Sequence, residues 1–161
     1  MLAVLMEKGL DAASYARLAK IACLSVSETH GAIRRLRAAG LISERHALLR
    51  RNVREFLECG LRYVFPLQRA GGIVKGMPTS YAAPVAASEF AASGFPPVWG
   101  GGVGNVIGQA VEPLYLTVPD AAAADSALYD RLAILDMLRG GRIRERKFAE
   151  KKLEGILHEC N

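Results

Sequence analysis

Between residues 14 and 42 the apolar positions recur at helical spacing in two short runs separated by a tight break. In the first, Tyr15 to Leu24, the residues Leu18, Ala19 and Ala22 share one face, and Ser14 stands where an N-cap would stand. In the second, Thr29, Ile33 and Leu36 follow at intervals of four and three. The break is Cys23-Leu24-Ser25, with Leu24 placed to plug the space between the two helices. Ser25 and Glu28 have capping-box spacing, so the serine hydroxyl accepts from the Glu28 backbone N–H while the carboxylate reaches back to the Ser25 N–H. Gly40 supplies the left-handed C-cap that ends the second helix. Leu41 and Ile42 lead out as a strand, a minimal turn around Glu44–His46 follows, and the next helix is predicted over Asn52–Tyr63.

The pattern changes abruptly at residue 66. Residues 66–119 hold all seven prolines and nine of the sixteen glycines, which excludes long helices there. Tyr63, Phe65, Tyr81, Phe90, Phe95, Trp99 and Tyr115 lie in or beside this zone, whereas disordered spacers are poor in aromatic residues. The zone therefore reads as an irregular segment packed onto the N-terminal helices through Trp99, Phe95 and Tyr81, with short extended pieces around Val103–Ile107 and Leu114–Val118. Residues 120–161 return to a helical pattern. Leu128, Leu132, Leu135 and Leu138 recur behind an N-cap at Asp125 or Ser126, Gly140-Gly141 breaks the helix, and Phe148 or Ala149, Leu153, Ile156 and Leu157 line a second one. The expected architecture is mainly α: a helix-turn-helix unit over 1–65, an irregular middle segment over 66–119, and a C-terminal helical hairpin over 120–161 that covers the core or meets a second copy.

Charge adds one point to this picture. The chain carries a formal +5, and the segment sums are +5 for residues 1–65, −1 for 66–124 and +1 for 125–161, so the positive field belongs to the N-terminal unit. The three cysteines, Cys23, Cys59 and Cys160, have no paired spacing. They suggest neither a disulfide framework nor, with His30 and His46, a metal cluster. The apolar start is too short for a secretory signal and no run is long enough to span a membrane, so a soluble cytoplasmic protein is expected. Gly100-Gly-Gly-Val-Gly-Asn lacks the lysine and hydroxyl of a phosphate-binding loop, and nothing pairs a nucleophile with a base; no enzymatic chemistry and no cofactor is expected.

The chemistry that remains lies on the outer face of the second helix, where Val26, His30, Arg34 and Arg37 align with Ser27 and Gly31 beside them. Backbone N–H groups at Ser25–Ser27 and the helix dipole suit a phosphate. Val26 suits a thymine methyl, Ser27 or His30 a base edge, and Arg34, Arg35 and Arg37 the phosphate backbone, with Arg45 at the tip of the turn.

Tyr15-x-x-Leu18-Ala19, Leu24-Ser25-x-Ser27, Ile33-x-x-Leu36 and Ala39-Gly40-Leu41-Ile42 together resemble the winged helix-turn-helix of MarR-like bacterial transcriptional regulators. The resemblance covers about residues 2–50. It implies duplex DNA as the partner, homodimerisation, and the second helix as the reader of the major groove. The wing is shorter than is usual in those proteins. A small-molecule effector held by the aromatic middle zone is compatible with this reading. The rival reading is a protein-docking or antitoxin-like accessory protein that uses the helix-turn-helix, or the basic stretch Arg139–Lys147, against a partner protein.

Overall fold

The computed structural model describes residues 1–7, 10, 13–91 and 94–159. It is mainly helical with one small sheet. The helix-turn-helix consists of α2 (Tyr15–Ala22) and α3 (Val26–Ala38), preceded by a short α1 (Leu2–Leu5). Ser14 caps α2 by accepting from the Arg17 N–H at 3.3 Å. Cys23 takes the left-handed conformation that reverses the chain, at φ 52° and ψ 42°. The capping box forms as the spacing predicts: Ser25 Oγ accepts from the Glu28 N–H at 3.1 Å, and Glu28 accepts from the Ser25 N–H at 3.0 Å. Gly40, at φ +64°, ends the helix, and its carbonyl accepts from Asn52 Nδ2 at 2.7 Å. After α3 a single antiparallel bridge joins Ile42 and Leu48 around the Glu44–His46 turn.

The following helix is longer than its sequence pattern predicts. It runs as α4 (Arg50–Glu55), a π turn over Phe56–Gly60, and α5 (Leu61–Val64). Val53, Leu57 and Leu61 hold it to the core.

The middle zone contains more regular structure than its composition suggests. β1 (Arg69–Pro78) pairs antiparallel with both β2 (Pro97–Gly100) and β3 (Val106–Val111), and β2 and β3 also pair with each other in parallel. The expected extended piece at 103–107 is thus displaced along the chain to Val106–Val111. The one expected at 114–118 is instead a turn leading into α6 (Val118–Ala124). The strands approach so closely that a Cβ on Gly76 would lie 2.1 Å from the Trp99 carbonyl oxygen, and one on Gly108 the same distance from the Pro96 oxygen. Glycine here permits backbone contact rather than disorder.

Helix α7 (Ser126–Gly140) is the axis of the molecule, with α8 (Ile143–Glu159) packed along it through Ala149, Leu153 and Leu157. Asp125 caps α7, accepting from the Leu128 N–H at 3.0 Å. The apolar spacing predicts a hairpin with one buried side, but every residue of α7 from Arg131 to Leu138, and Arg139 after it, is buried. Its buried charged residues, Arg131, Asp136 and Arg139, all have hydrogen-bond partners. Asp136 accepts from Thr79 Oγ1 at 2.7 Å, Trp99 Nε1 at 2.8 Å and Arg139 Nε at 2.8 Å. Arg139 also donates to the Pro66 and Glu112 carbonyls, and Tyr129 Oη donates to the Pro78 carbonyl at 2.6 Å. These bonds clamp the sheet to α7. Arg131 meanwhile ties α7 to α1, donating to the Ala3 carbonyl at 3.2 Å and pairing with Glu7 at 3.3 Å.

Trp99 is fully buried as expected, but it packs against α7 and Tyr129 rather than the N-terminal helices. Phe95 does not close the segment, since it is 59 % exposed. Among the described residues no helix is long and apolar enough to cross a membrane.

Candidate nucleic-acid interface and the cavity behind it

Helix α3 has three faces. Thr29 and Ile33 are buried and Leu36 is partly buried, forming the side that packs on α2 and the core. Val26, Ser27, His30 and Arg34 are exposed. They form an outer strip that runs from the capped end of the helix, where free N–H groups and the dipole favour an anion, to Arg34 beyond its midpoint. Glu28 reinforces the capped end. It accepts from the Ser25 hydroxyl at 2.6 Å, from the Tyr115 hydroxyl and from the Ser25 N–H, and these hydrogen bonds lower its carboxyl from 4.5 to about 2.

The rest of the expected contact set divides. Arg37 is partly buried and turned toward the Glu44–His46 turn, with Nη2 donating to the Glu44 carbonyl at 2.8 Å and Nη1 lying 3.5 Å from the Glu44 carboxylate. It braces the turn whose exposed tip is Arg45. Tyr15 packs between two histidines, its ring centroid 5.1 Å from that of His30 and 5.5 Å from that of His46. His46 is buried at φ 66°, and burial, reinforced by Arg37, holds its imidazole below the usual value.

Arg35 and Gly31 lie on the third face of α3, with Glu28. They border a solvent-open cavity of about 1020 Å³ lined by α1, α3, the π turn, the segment Leu114–Thr117 and α7. Ser27 stands at the boundary between this face and the outer strip. The sequence pattern places Arg34, Arg35 and Arg37 together as phosphate contacts. In the folded chain Arg34 alone of the three lies on the outer strip.

Two bonds tie the cavity wall to the helix-turn-helix. Tyr115 donates to Glu28 at the start of α3, and Thr117 Oγ1 donates to the Ala22 carbonyl at the end of α2, at 3.2 Å. No local sequence signal could have revealed this strap, because its two ends are 87 and 95 residues from their partners. Within residues 66–119 the cavity is lined by Leu114, Tyr115, Thr117 and Val118, and the aromatic Trp99 serves the sheet clamp.

No protein-family model matches this chain, and neither curated proteins nor solved structures contain a significant match.

Proposed function

We propose that this chain is a sequence-specific duplex-DNA-binding protein acting as a transcriptional regulator, with α3 entering the major groove. The observation that carries the reading is the outer strip of α3. A capped helix, fixed to the core by Thr29 and Ile33, leaves Val26, Ser27 and His30 uncovered in its N-terminal half and Arg34 uncovered one turn further on. That half is the part of a recognition helix that reaches base edges. Val26 is 53 % exposed, a placement that core packing does not require and that a thymine methyl would use. Arg34 supplies a phosphate contact beside it, and Arg45 on the turn a second, while the positive charge excess of residues 1–65 draws the unit to the duplex.

The MarR-like resemblance of residues 2–50 fits this proposal, as does the bridge between Ile42 and Leu48, the remnant of a wing. One such helix contacts few bases, so the proposed working unit is a homodimer that reads two half-sites. Helix α7 is enclosed by its own chain, which leaves α8, of the two C-terminal helices, to contribute to the dimer contact. The test is selection of bound fragments from random and genomic duplexes at physiological salt. A recurrent sequence with a clear specificity ratio over scrambled duplex is expected; recovery of no preferred sequence overturns the proposal.

A further inference from the structure

Helices α5 and α8 both pack on α7, and two contacts fix how they lie. Toward the far end of α8, Glu154 pairs with Arg54 of α4 at 3.3 Å. Beyond α5, Arg139 donates to the Pro66 carbonyl, and Leu67 packs on Gly140 where a Cβ would collide with its side chain. The end of α5 and the start of α8 therefore meet at one end of the molecule. Ile143, Lys147 and Glu154, at intervals of four and seven, share one side of α8, the side that meets α4.

This end is apolar and basic at once. Tyr63 is 77 % exposed, and Val64 and Ile143 are both more than half exposed. Single apolar residues scattered over a surface need no explanation, but three large ones gathered at one end mark an interaction site. Arg142, Arg144 and Lys147 are exposed around Ile143, and their side chains have no ion-pair partner among the described residues. Arg62 lies over the Tyr63 ring, 5.3 Å from its centroid. The only acid on α5 or in the first two turns of α8 is Glu145, and it is occupied in accepting from the Arg142 N–H at 2.9 Å. Arg139, the first residue of the basic stretch in the sequence, is buried in the clamp to the sheet, so the free cations begin at Arg142.

Charge selects the occupant. We infer that the end of α5 and the first two turns of α8 dock an acidic segment of another protein that also carries apolar side chains. Its carboxylates meet Arg142, Arg144 and Lys147, and its apolar side chains cover Tyr63, Val64 and Ile143. A second copy of this chain does not fit here, because an isologous contact would set these cations against themselves. The dimer contact proposed for α8 accordingly falls on its C-terminal half, where Lys151, Lys152, Glu154 and Glu159 mix both signs. Duplex DNA would take up the cations but leave the aliphatic side chains uncovered. The surface includes no residue of α3, so it does not depend on the DNA-binding proposal.

The test titrates the full chain, without DNA, with three labelled helical peptides read by fluorescence anisotropy: leucine with glutamate, leucine with lysine, and serine with glutamate. The leucine–glutamate peptide should saturate at one per chain, bind about tenfold tighter than either of the others, and weaken as salt is added. Arg144→Glu combined with Lys147→Glu should weaken it about tenfold, and Ile143→Ser several-fold. Arg34→Glu on α3 and Leu116→Ser beside the cavity should leave it unchanged. All these side chains are exposed, so the variants should keep the wild-type circular dichroism and melting temperature. Absence of saturable binding, equal binding of the leucine–lysine peptide, or a loss in Arg34→Glu or Leu116→Ser in place of the α8 variants would each overturn the inference. A scrambled duplex tests the other polyanion. If the double variant weakens duplex and peptide alike while Ile143→Ser weakens neither, the surface is a phosphate site and the inference falls. Light scattering tests the second copy: dimers that dissociate as the peptide binds would overturn it too. Peptide binding as described, by a chain that selects no duplex, would leave the docking surface standing and remove the regulator reading.

Discussion

Replacing Asp136 by alanine should be among the most damaging single changes to the fold. Asp136 is 1 % exposed and receives three donors, from Thr79, Trp99 and Arg139. Burial pushes its carboxyl upward, against the pull of Arg139 and the hydroxyl and indole donors. Alanine strands a guanidinium that is itself 7 % exposed, and breaking a buried pair from one side costs about 3–5 kcal/mol. The orphaned Trp99 N–H and Thr79 hydroxyl would each add about 1–3 kcal/mol if no other partner were found. These costs share one site and do not add fully, so a loss of about 4–6 kcal/mol is expected. That is a large part of the roughly 5–15 kcal/mol by which a domain is stable. Trp99→Phe, which keeps most of the ring packing and loses one donor, should cost about 1–2 kcal/mol. The assay is urea unfolding followed by near-ultraviolet dichroism, which reports the ordering of Trp99 on α7. The double variant Asp136→Leu with Arg139→Met removes both charges and should be less destabilised than Asp136→Ala alone. A loss below about 1 kcal/mol for Asp136→Ala, with the Trp99 signal intact, would refute the clamp.

Trp99 emission should be blue-shifted and poorly quenched by acrylamide, since its side chain is fully buried; free quenching would detach the sheet from α7. Light scattering should give a dimer of about 35 kDa, twice the chain mass of 17.3 kDa, and a monomer that DNA also fails to pair would remove the dimer proposal. The Glu28 carboxyl is depressed from 4.5 to about 2, so its contribution is complete above pH 4.5 and disappears as the pH falls through about 2. Melting temperature should therefore decline over that window in the wild type and decline less in Glu28→Gln; identical profiles would show that the cap bonds do not persist in solution.

The parts of the fold legible in the sequence are those specified locally. Ser25 and Glu28 lie three residues apart and determine the start of α3 by themselves, and Gly40 likewise determines its end. β1 was not legible because Arg69–Pro78 shows no apolar alternation and three of its residues are glycines. It is a strand because β2 and β3, distant in sequence, present backbone to it at spacings only glycine tolerates. The four leucines of α7 reveal a buried side but not that Asp136 and Arg139 are buried too, since that depends on Thr79 and Trp99 arriving from the sheet. The same reason explains the division of the arginines on α3. Periodicity separates the core face from the remainder, but only the position of Leu114–Thr117 and the π turn decides that Arg35 borders a cavity while Arg34 faces outward.

The most direct test of DNA recognition by α3 is titration of a selected duplex and a scrambled duplex with wild type, Arg34→Ala, His30→Ala and Ser27→Ala at two salt concentrations. All three side chains are exposed, so the variants should fold normally. Arg34→Ala should weaken binding to both duplexes alike and reduce the salt slope by about one. His30→Ala and Ser27→Ala should lower the preference for the selected duplex by about 1–3 kcal/mol while sparing binding to the scrambled one. If the wild type prefers no duplex, and Arg34→Ala binds as it does at both salt concentrations, the outer strip of α3 is not a DNA-reading surface.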